Sequence, residues 1–327
     1  MEIVTNNFEF LENGLGITLV VFLPLISALV VALLPKKQEL LIKLTALGSS
    51  LITFILSVIV AIQFDYSKAE QFQLGNKLSW IEAINSNYEI GIDGISLPML
   101  LLSTFITVLA IIYSFEHLPE PKSPKGMMAL ILILETGMNG TFVALDLILF
   151  FVFFELVLLP MYFMIGIWGD KTMRSVAGLK NEVETRLYAS IKFFVFTLFG
   201  SAFMLLGFLG LYFRGAKTFS IPELIELGTS GAFTGTFATL VFAVLFLGFA
   251  VKVPMWPSPY LASRCSYGST NSWISITCRN TSKIRFLWIC KNCFTNFTRA
   301  STSLGTGDCN IVSYWNNLWF VSMSSTN

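Results

Sequence analysis

Charged residues and histidines are scarce in this sequence, and their scarcity excludes several classes of protein. Charged residues make up 13% of the 327 residues and hydrophobic residues 54%, whereas a soluble domain carries about 25% charged residues. The single histidine, His117, excludes a histidine-rich metal site. A net charge of +1 gives no reason to expect a nucleic-acid partner. The composition therefore predicts a polytopic membrane protein.

Cysteine is absent from the first 257 residues, and all five cysteines lie in the last fifth of the chain. At Ser258 the composition changes as well: serine, threonine, asparagine and arginine become frequent, and no acidic residue follows until Asp308. The hydrophobic runs after Ser258 are too short to cross a membrane. The sequence thus divides into an apolar part, residues 1–257, and a tail, residues 258–327. The cysteines are Cys265, Cys278, Cys290, Cys293 and Cys309.

Seven long apolar runs predict seven transmembrane helices and an all-α fold, because a helix needs about 20 apolar residues to cross a bilayer. Pro24 lies inside the first run, and the fourth and fifth runs meet at Asp146, so a tight turn must join them. The acidic stretch 63–94 is expected to form a small cap of strands or short helices. The predicted spans are 15–34, 40–62, 95–115, 126–145, 146–168, 188–213 and 234–253.

The basic residues of the connecting segments predict the orientation in the membrane. Nine basic residues lie in the loops after spans 1, 3 and 5, against four on the opposite side. Cytoplasmic loops are enriched in Lys and Arg, so we expect the nine-basic side to be cytoplasmic and the N-terminus to lie outside. The nine are Lys36, Lys37, Lys43, Lys122, Lys125, Lys171, Arg174, Lys180 and Arg186, and the four are Lys68, Lys77, Arg214 and Lys217.

The fifth span, Asp146–Trp168, carries an acidic residue, Glu155, near its centre. As a helix this span would extend roughly 34 Å, enough to cross the ~30 Å hydrocarbon core. Glu155 has no interface within reach, and placing a charged acid there costs about 3 kcal/mol or more. Pro160 follows five residues later, removes a backbone donor and predicts a kink. We therefore expect Glu155 to be functional.

Three further ionisable residues, Glu135, Lys192 and Lys252, lie within predicted spans. Each has a structural alternative. Glu135 could hydrogen-bond a local irregularity near Gly137 and Gly140, and the two lysines could extend to the membrane interface. Acids and lysines on neighbouring helices can also bind and release protons as their pairing changes. The pattern therefore fits a proton path, and it fits ion pairs that stabilise the bundle equally well.

Four segments of the apolar part match the motifs of a known family. In chain order they read GIDGISLPMLLL, FFELVLLPMYFMIGIWG, RLYASIKFFVFTLFGSAFMLL and FLGFAVKVPMWP. They resemble the antiporter-like membrane subunits of respiratory complex I, and within that family the subunit M (chain 4) type of NADH–quinone oxidoreductase. The resemblance covers about residues 15–257. It implies the N-terminal half of a fold with about fourteen helices.

The resemblance implies proton translocation that is driven by quinone reduction elsewhere in a complex. It implies that Glu155 binds the transported proton, that Lys252 pairs with Glu155 and modulates its proton affinity, and that Lys192 takes part in proton transfer. The subunit itself is expected to bind no cofactor and no metal, since NADH, quinone, FMN and iron–sulfur clusters belong to the whole complex. The implied partners are neighbouring antiporter-like and small membrane subunits. The implied location is a bacterial plasma membrane, or alternatively a thylakoid membrane.

After Pro257 the amino-acid sequence no longer matches the family, and a shift of the reading frame would explain the difference. When permitted codons for residues 259–275 are read one base later, they can spell His-Thr-Trp-Leu-Pro-Asp-Ala-His, a family motif, and the residues that follow it. We therefore expect a one-base frame change near Pro257 and an out-of-frame, disordered tail over residues 258–327. The Cys290–Cys293 motif would then have no zinc or redox meaning. A chain of this kind is expected not to pump as written.

Two alternatives stay open at this point. The first is a subunit of an Mrp-type Na⁺/H⁺ antiporter, whose family resemblance includes the same Glu155 and Lys252. The second is an inert pseudogene fragment, which would not assemble with partner subunits. Neighbouring genes for quinone-site and iron–sulfur subunits would favour complex I.

Overall fold

The computed structural model describes residues 14–118, 123–169, 171–174, 183–230, 233 and 235–252. Within these residues the chain is mostly helical, which confirms the predicted all-α membrane fold. Hydrocarbon offers backbone amides no hydrogen-bond partner, so long apolar runs fold as helices that pair their amides internally. The tail with its five cysteines, and the predicted frame change before it, lie outside the described residues.

Nine α-helices can be followed in the described part of the chain. They are α1 (Leu15–Leu33), α2 (Glu39–Gln63), α3 (Ser96–Glu116), α4 (Pro124–Val143), α5 (Leu147–Leu156), α6 (Leu158–Trp168), α7 (Thr185–Arg214), α8 (Ile221–Thr229) and α9 (Gly235–Lys252). Among the described residues, six spans are long and apolar enough to cross a membrane: α1, α2, α3, α4, the consecutive pair α5–α6, and α7. The seventh predicted span corresponds to α9, whose apolar part, Gly235–Phe249, is shorter.

Helix α4 lies at the centre of the bundle. In the most apolar stretch of α4, 78% of the residues are buried, and in the corresponding stretch of α7 33% are buried. Helix α4 is therefore enclosed by other helices, and α7 is peripheral. Helices α1, α2 and α3 pack on α4, and so do α5 and α6. Helix α7 packs against α6 and α9. The span that carries Glu155 is thus held between the central helix and the α7–α9 pair.

Two antiparallel strands cover one end of the bundle. They are β1 (Gln73–Ile81) and β2 (Ser86–Ile92), and short 3-10 turns flank them at Tyr66–Lys68 and Glu82–Ile84. This hairpin confirms the predicted cap over residues 63–94. A second, shorter pair, β3 (Met173–Arg174) and β4 (Val183–Glu184), precedes α7 at the opposite end. We call the two ends of the bundle the hairpin side and the basic-loop side.

The turn between α4 and α5 ties the hairpin side together. Ala144 forms an isolated bridge with Ile90 of β2, and Asp146 forms another with Ser220, the residue before α8. The side chain of Asp146 is fully buried and accepts the backbone N–H groups of Ile148 and Leu149, so it caps α5. The predicted tight turn is therefore confirmed, and it is also the point at which the hairpin and α8 meet the helix that carries Glu155.

Candidate functional site

The span that carries Glu155 is interrupted two residues after it. Helix α5 ends at Leu156 and α6 begins at Leu158, and Val157 between them keeps helical dihedral angles. The cause lies in Pro160, which has no N–H to donate to the carbonyl of Leu156 four residues earlier. Pro160 was predicted to kink the helix, and the structure shows an interruption of the span at Val157. It places Glu155 beside a backbone carbonyl that lacks its ordinary helical partner.

Two glycines of α4 allow the interrupted span to approach closely. A Cβ atom added at Gly137 would lie 2.5 Å from the Cγ2 atom of Val157, and one added at Gly140 would lie 2.3 Å from the Cδ1 atom of Phe153. Carbon atoms do not approach each other this closely, so both positions require glycine for the observed packing. The central helix thereby fixes the position of residues 153–157, and Glu155 lies in the middle of this segment.

Glu155 is half-buried, and its carboxyl group meets the hydroxyl of Ser201 on α7. The Oε1 and Oγ atoms are 2.5 Å apart, and the same Oγ atom lies 2.9 Å from the carbonyl oxygen of Thr197. A serine hydroxyl has one hydrogen, so it can point fully at one of these two acceptors at a time. It can donate to an ionised Glu155, or donate to Thr197 while it accepts from a protonated Glu155. This contact therefore serves both protonation states of the acid.

Close packing brings α9 to the same part of α7. A Cβ atom added at Gly200 would lie 2.8 Å from the side chain of Val251 and 3.0 Å from the carbonyl oxygen of Gly248. On the α5 side, the ring of Phe154 meets the ring of Phe249 edge to face, with centroids 6.4 Å apart. Because Gly200 precedes Ser201 and Val251 precedes the last residue of α9, the backbone of Lys252 lies close to the Glu155–Ser201 contact.

The structure places the other predicted residues less directly. The side chain of Lys252 lies outside the described part of the chain, so its predicted pairing with Glu155 stays a prediction. The Nζ atom of Lys192 lies 5.5 Å from the centroid of the Tyr188 ring. Lys192 is nine residues before Ser201 on α7, which is roughly 13 Å along the helix toward the basic-loop side. Its predicted role in proton transfer also stays a prediction.

Glu135 is fully buried in α4 and faces away from the Glu155 site. It is separated from Gly137 and Gly140 by about 200° and 140° around the helix, and those glycines mark the face toward α5 and α6. Among the described residues, neither carboxyl oxygen of Glu135 has a hydrogen-bond partner. The structural alternative considered for Glu135, a hydrogen bond to a local irregularity near Gly137 and Gly140, is therefore not observed there.

Sequence reasoning missed Ser201 as a partner of Glu155. Its hydroxyl also bonds the carbonyl of Thr197 in its own helix, which is what serines in transmembrane helices ordinarily do, so this bond does not distinguish it from other serines. The available signal was its position directly after Gly200 in an otherwise bulky apolar run. In the described ranges no group of three or more His, Cys, Asp and Glu residues is arranged to hold a metal ion.

Two family models match the chain. Residues 144–259 match a model described as NADH:quinone oxidoreductase/Mrp antiporter, TM, and residues 79–124 match one described as NADH-ubiquinone oxidoreductase (complex I), chain 5 N-terminus. The first match contains Glu155, Ser201, Lys192 and Lys252. The second begins in β1 and ends at the start of α4.

Curated relatives give the same family. NAD(P)H-quinone oxidoreductase chain 4 of Gloeobacter violaceus is 36% identical over 243 residues, which cover 74% of this chain and 42% of the relative. NADH-quinone oxidoreductase subunit M of Rickettsia typhi is 33% identical over 248 residues, which cover 74% of this chain and 46% of the relative. The chain thus spans less than half the length of the curated relatives that it matches.

Solved structures with the same fold include a chain of respiratory complex I from Thermus thermophilus. Its TM-score is 0.70 at 21% identity, and the match covers 88% of this chain and 55% of that chain. A chain of the Mrp complex from Dietzia sp. DQ12-45-1b matches with a TM-score of 0.65 at 14% identity, over 84% of this chain and 27% of that chain. At these identities the likeness shows the fold alone.

Proposed function

The chain belongs to the family of antiporter-like membrane subunits shared by NADH:quinone oxidoreductase and Mrp antiporters, and on this premise we propose that it serves proton translocation in an NADH:quinone oxidoreductase. One observation carries the proposal. The intramembrane acid Glu155 lies beside a helix interruption, contacts the hydroxyl of Ser201, and has the end of α9 packed close by. An acid in such a place can take up and release a proton as its surroundings change.

The proposed transfer uses Glu155, Ser201 and Lys252. When the ammonium group of Lys252 is near Glu155, the carboxylate is favoured, and when it moves away, the protonated acid is favoured because burial penalises an unpaired charge. The Ser201 hydroxyl turns between Glu155 and the carbonyl of Thr197 as the proton arrives and leaves. Lys192, nearer the basic-loop side of α7, is proposed to exchange the proton onward.

The proposed partners and location follow from the family and from the surface of the bundle. Large apolar side chains are exposed on the membrane helices, for example Leu33 at 84% and Phe213 at 74% of their surface, so lipid or other membrane subunits must cover them. We propose neighbouring antiporter-like and small membrane subunits as partners, with the redox cofactors held elsewhere in the complex. The location is a bacterial plasma membrane, or alternatively a thylakoid membrane, with the basic loops inside and the N-terminus outside.

We also propose that the sequence, as given, shifts by one base relative to the family's reading frame near Pro257. The end of the family-model match at residue 259 supports this proposal. Resequencing codons 250–265 from fresh DNA tests it. An in-frame continuation into the His-Thr-Trp-Leu-Pro-Asp-Ala-His motif would show that the change is a sequencing error, and recovery of the same shifted base would show a real frame change. A sequence that fits neither frame would contradict the proposal.

The proposed function is tested with Glu155→Gln in a frame-repaired protein, assembled with its partner subunits in membrane vesicles. Proton uptake driven by NADH oxidation should be lost while the subunit still assembles, because glutamine cannot carry the proton. The control is Glu82→Gln, since Glu82 is exposed on the hairpin side. Unchanged proton uptake in Glu155→Gln would contradict the proposal.

A second candidate function is that of an Mrp-type Na⁺/H⁺ antiporter subunit. The likeness to the Dietzia Mrp chain supports a shared fold and does not separate the two functions. The curated relatives quoted above are named as NADH- or NAD(P)H-quinone oxidoreductase subunits. Proton uptake that requires Na⁺ and does not require NADH would favour the antiporter.

A further inference from the structure

The first four helices contain a row of buried polar side chains that the Glu155 site does not use. Two of its hydrogen bonds join neighbouring helices, between Ser49 and Ser27 at 2.6 Å and between Ser57 and Thr104 at 3.0 Å. Buried polar groups in a membrane helix are costly unless they are hydrogen-bonded, and they commonly mark functional sites in membrane proteins. The row consists of Ser49, Ser50, Thr53 and Ser57 on α2, Ser103, Thr104 and Thr107 on α3, and Glu135, Thr136 and Asn139 on α4.

Asn139 fixes how α4 faces its neighbours. Its Nδ2 atom donates to the carbonyl oxygen of Val20 on α1 at 3.3 Å, and its Oδ1 atom accepts from the hydroxyl of Ser103 on α3 at 2.6 Å. The Val20 carbonyl is free because Pro24, four residues later, has no N–H to give it. Asn139 therefore replaces the missing helical bond and points toward the space between α1 and α3.

Glu135 lies one helical turn before Asn139 and about 40° from it around α4, so it points toward the same space. Helix α4 is antiparallel to α1 and α3. One helical turn away from the two contacts of Asn139, Glu135 is therefore level with Pro24 on α1 and Thr107 on α3. The exposure of Glu135 is 0%, and the described residues offer neither of its carboxyl oxygens a hydrogen-bond partner. An ionised carboxylate would not be stable in such a place.

In the described part of the chain, the helices packed against this face supply no cation to pair with Glu135. Helix α1 has no ionisable residue, and those of α3 are Tyr113 and Glu116, neither of which is basic. The lysine of α2, Lys43, lies near the basic-loop end and donates to the carbonyl oxygen of Phe115 at 2.8 Å. Lys125, near the start of α4, donates to the carbonyl oxygen of Leu34 at 2.7 Å. On these helices the lysines thus bind the ends of neighbouring helices instead of the acid.

We propose that Glu135 is a second proton-binding site, separate from Glu155, and that it holds a proton as a neutral acid within the α1–α4 row. Acceptors for the acid hydrogen lie in the same row. Thr107 donates its own hydrogen to the carbonyl of Ser103, and Thr53 donates to the carbonyl of Ser49, so both hydroxyl oxygens keep lone pairs. In the proposed neutral form, Glu135 donates its O–H hydrogen to such a lone pair. This site does not depend on the role proposed for Glu155.

Infrared spectroscopy of the full chain in phospholipid vesicles at neutral pH tests this site. The spectrum of the wild type minus that of Glu135→Gln should contain the carbonyl band of one protonated carboxylic acid, and this band should shift in D₂O. The matched control is Asp93→Asn, since Asp93 is also buried but accepts a hydrogen bond from the Ser96 backbone N–H. If Glu135→Gln removes carboxylate bands instead, Glu135 is ionised and the inference is wrong. Carboxylate bands that depend on Na⁺ would show a cation site and would also overturn it.

Carbodiimide labelling gives an independent measurement on the wild-type chain, so it does not depend on the folding of a variant. The apolar reagent dicyclohexylcarbodiimide adds to protonated carboxyl groups within membranes, and peptide mass mapping locates the adduct. We expect an adduct on Glu135 whether or not Glu155 is labelled. An adduct on Glu155 together with an unlabelled Glu135 would contradict the inference.

Discussion

The carboxylate of Asp146 accepts a hydrogen bond from the hydroxyl of Ser86 at 3.0 Å, across 60 residues of sequence. Its second oxygen accepts the backbone N–H of Asn87 at 3.1 Å. The residue that starts the Glu155 helix therefore also anchors the hairpin that covers the bundle. The position of Glu155 is controlled from the end of its span as well as from the side.

Replacement of Asp146 should destabilise the hairpin side of the protein. Asp146→Ala removes a helix cap, at about 1 kcal/mol, and leaves the buried Ser86 hydroxyl and Asn87 N–H without an acceptor, at about 1–3 kcal/mol more. Thermal unfolding in detergent should show a lower midpoint. Asp65→Ala is the control, because Asp65 caps an exposed 3-10 turn and should have little effect. Equal midpoints for the two variants would contradict the anchoring role.

Replacement of Gly200 should separate α9 from α7. In Gly200→Ala the new methyl group would lie 2.8 Å from Val251, so one helix must move, at a cost of about 1–3 kcal/mol. We expect lower thermal stability and reduced proton uptake, because the backbone of Lys252 moves away from Glu155. Gly48→Ala is the matched control, since nothing lies within 4 Å of that position, and it should be neutral or stabilising by up to about 1 kcal/mol. Full proton uptake in Gly200→Ala would contradict the proposed proximity.

Replacement of Ser201 should slow proton transfer without unfolding the protein. Ser201→Ala removes a hydrogen-bond partner of Glu155, and a loss of about 1.4 kcal/mol corresponds to a tenfold lower rate. The measurement is NADH-driven proton uptake by the frame-repaired protein, assembled with its partner subunits in membrane vesicles. Ser190→Ala is the control, since Ser190 is buried in the same helix and its hydroxyl donates to the carbonyl of Leu187 at 2.9 Å. If both variants pump equally well, Ser201 has no special role.

The contact between the hairpin and α8 should weaken in acid. The Nζ atom of Lys77 lies 2.8 Å from Glu223 and 3.5 Å from Glu89. Its hydrogen bond lowers the pKa of the Glu223 carboxyl below the ordinary value of 4.5. A lowered folded-state pKa contributes stability that is present above 4.5 and is lost as the pH falls through the folded value.

The size of this effect is small because Glu223 is 47% exposed, so we expect less than about 1 kcal/mol, and less still at high salt. The protection factors of the β1 amides, which are exchange rates corrected for the intrinsic rate at each pH, should fall between pH 5 and pH 3, and Glu223→Gln should remove that dependence. Glu82→Gln in the hairpin turn should keep it. A dependence that persists in Glu223→Gln would show that another group is responsible.

The sequence predicted the features that depend on single residues or on local runs. The apolar runs gave six of the observed spans, and the interruption after Glu155 followed from Pro160 because a missing N–H acts four residues away. The cap over residues 63–94 was predicted from its polarity between two spans. These properties are local, so no knowledge of the tertiary structure is needed to recognise them.

The contacts between distant segments could not be predicted in the same way. Asp146 was expected at a turn, but its partner Ser86 depends on the register of a hairpin against a helix, which composition does not specify. Glu135 and Glu155 were grouped as one set of acids, yet the rotation of α4 separates them. Pro24 was noted inside the first span, but the free carbonyl that it leaves at Val20 and the binding of that carbonyl by Asn139 were not predicted.

The two lysine contacts at the basic-loop side have a consequence for membrane topology. The ammonium group of Lys43 lies at the carboxyl end of α3, and that of Lys125 lies at the carboxyl end of α1. Both contacts are electrostatically favourable because helix C-termini carry partial negative charge. The same lysines belong to the charge excess that predicts orientation. The positive charges on which the predicted orientation rests therefore also join the ends of neighbouring helices. Acetylation or loss of Lys43 would release the end of α3, and acetylation or loss of Lys125 would release the end of α1.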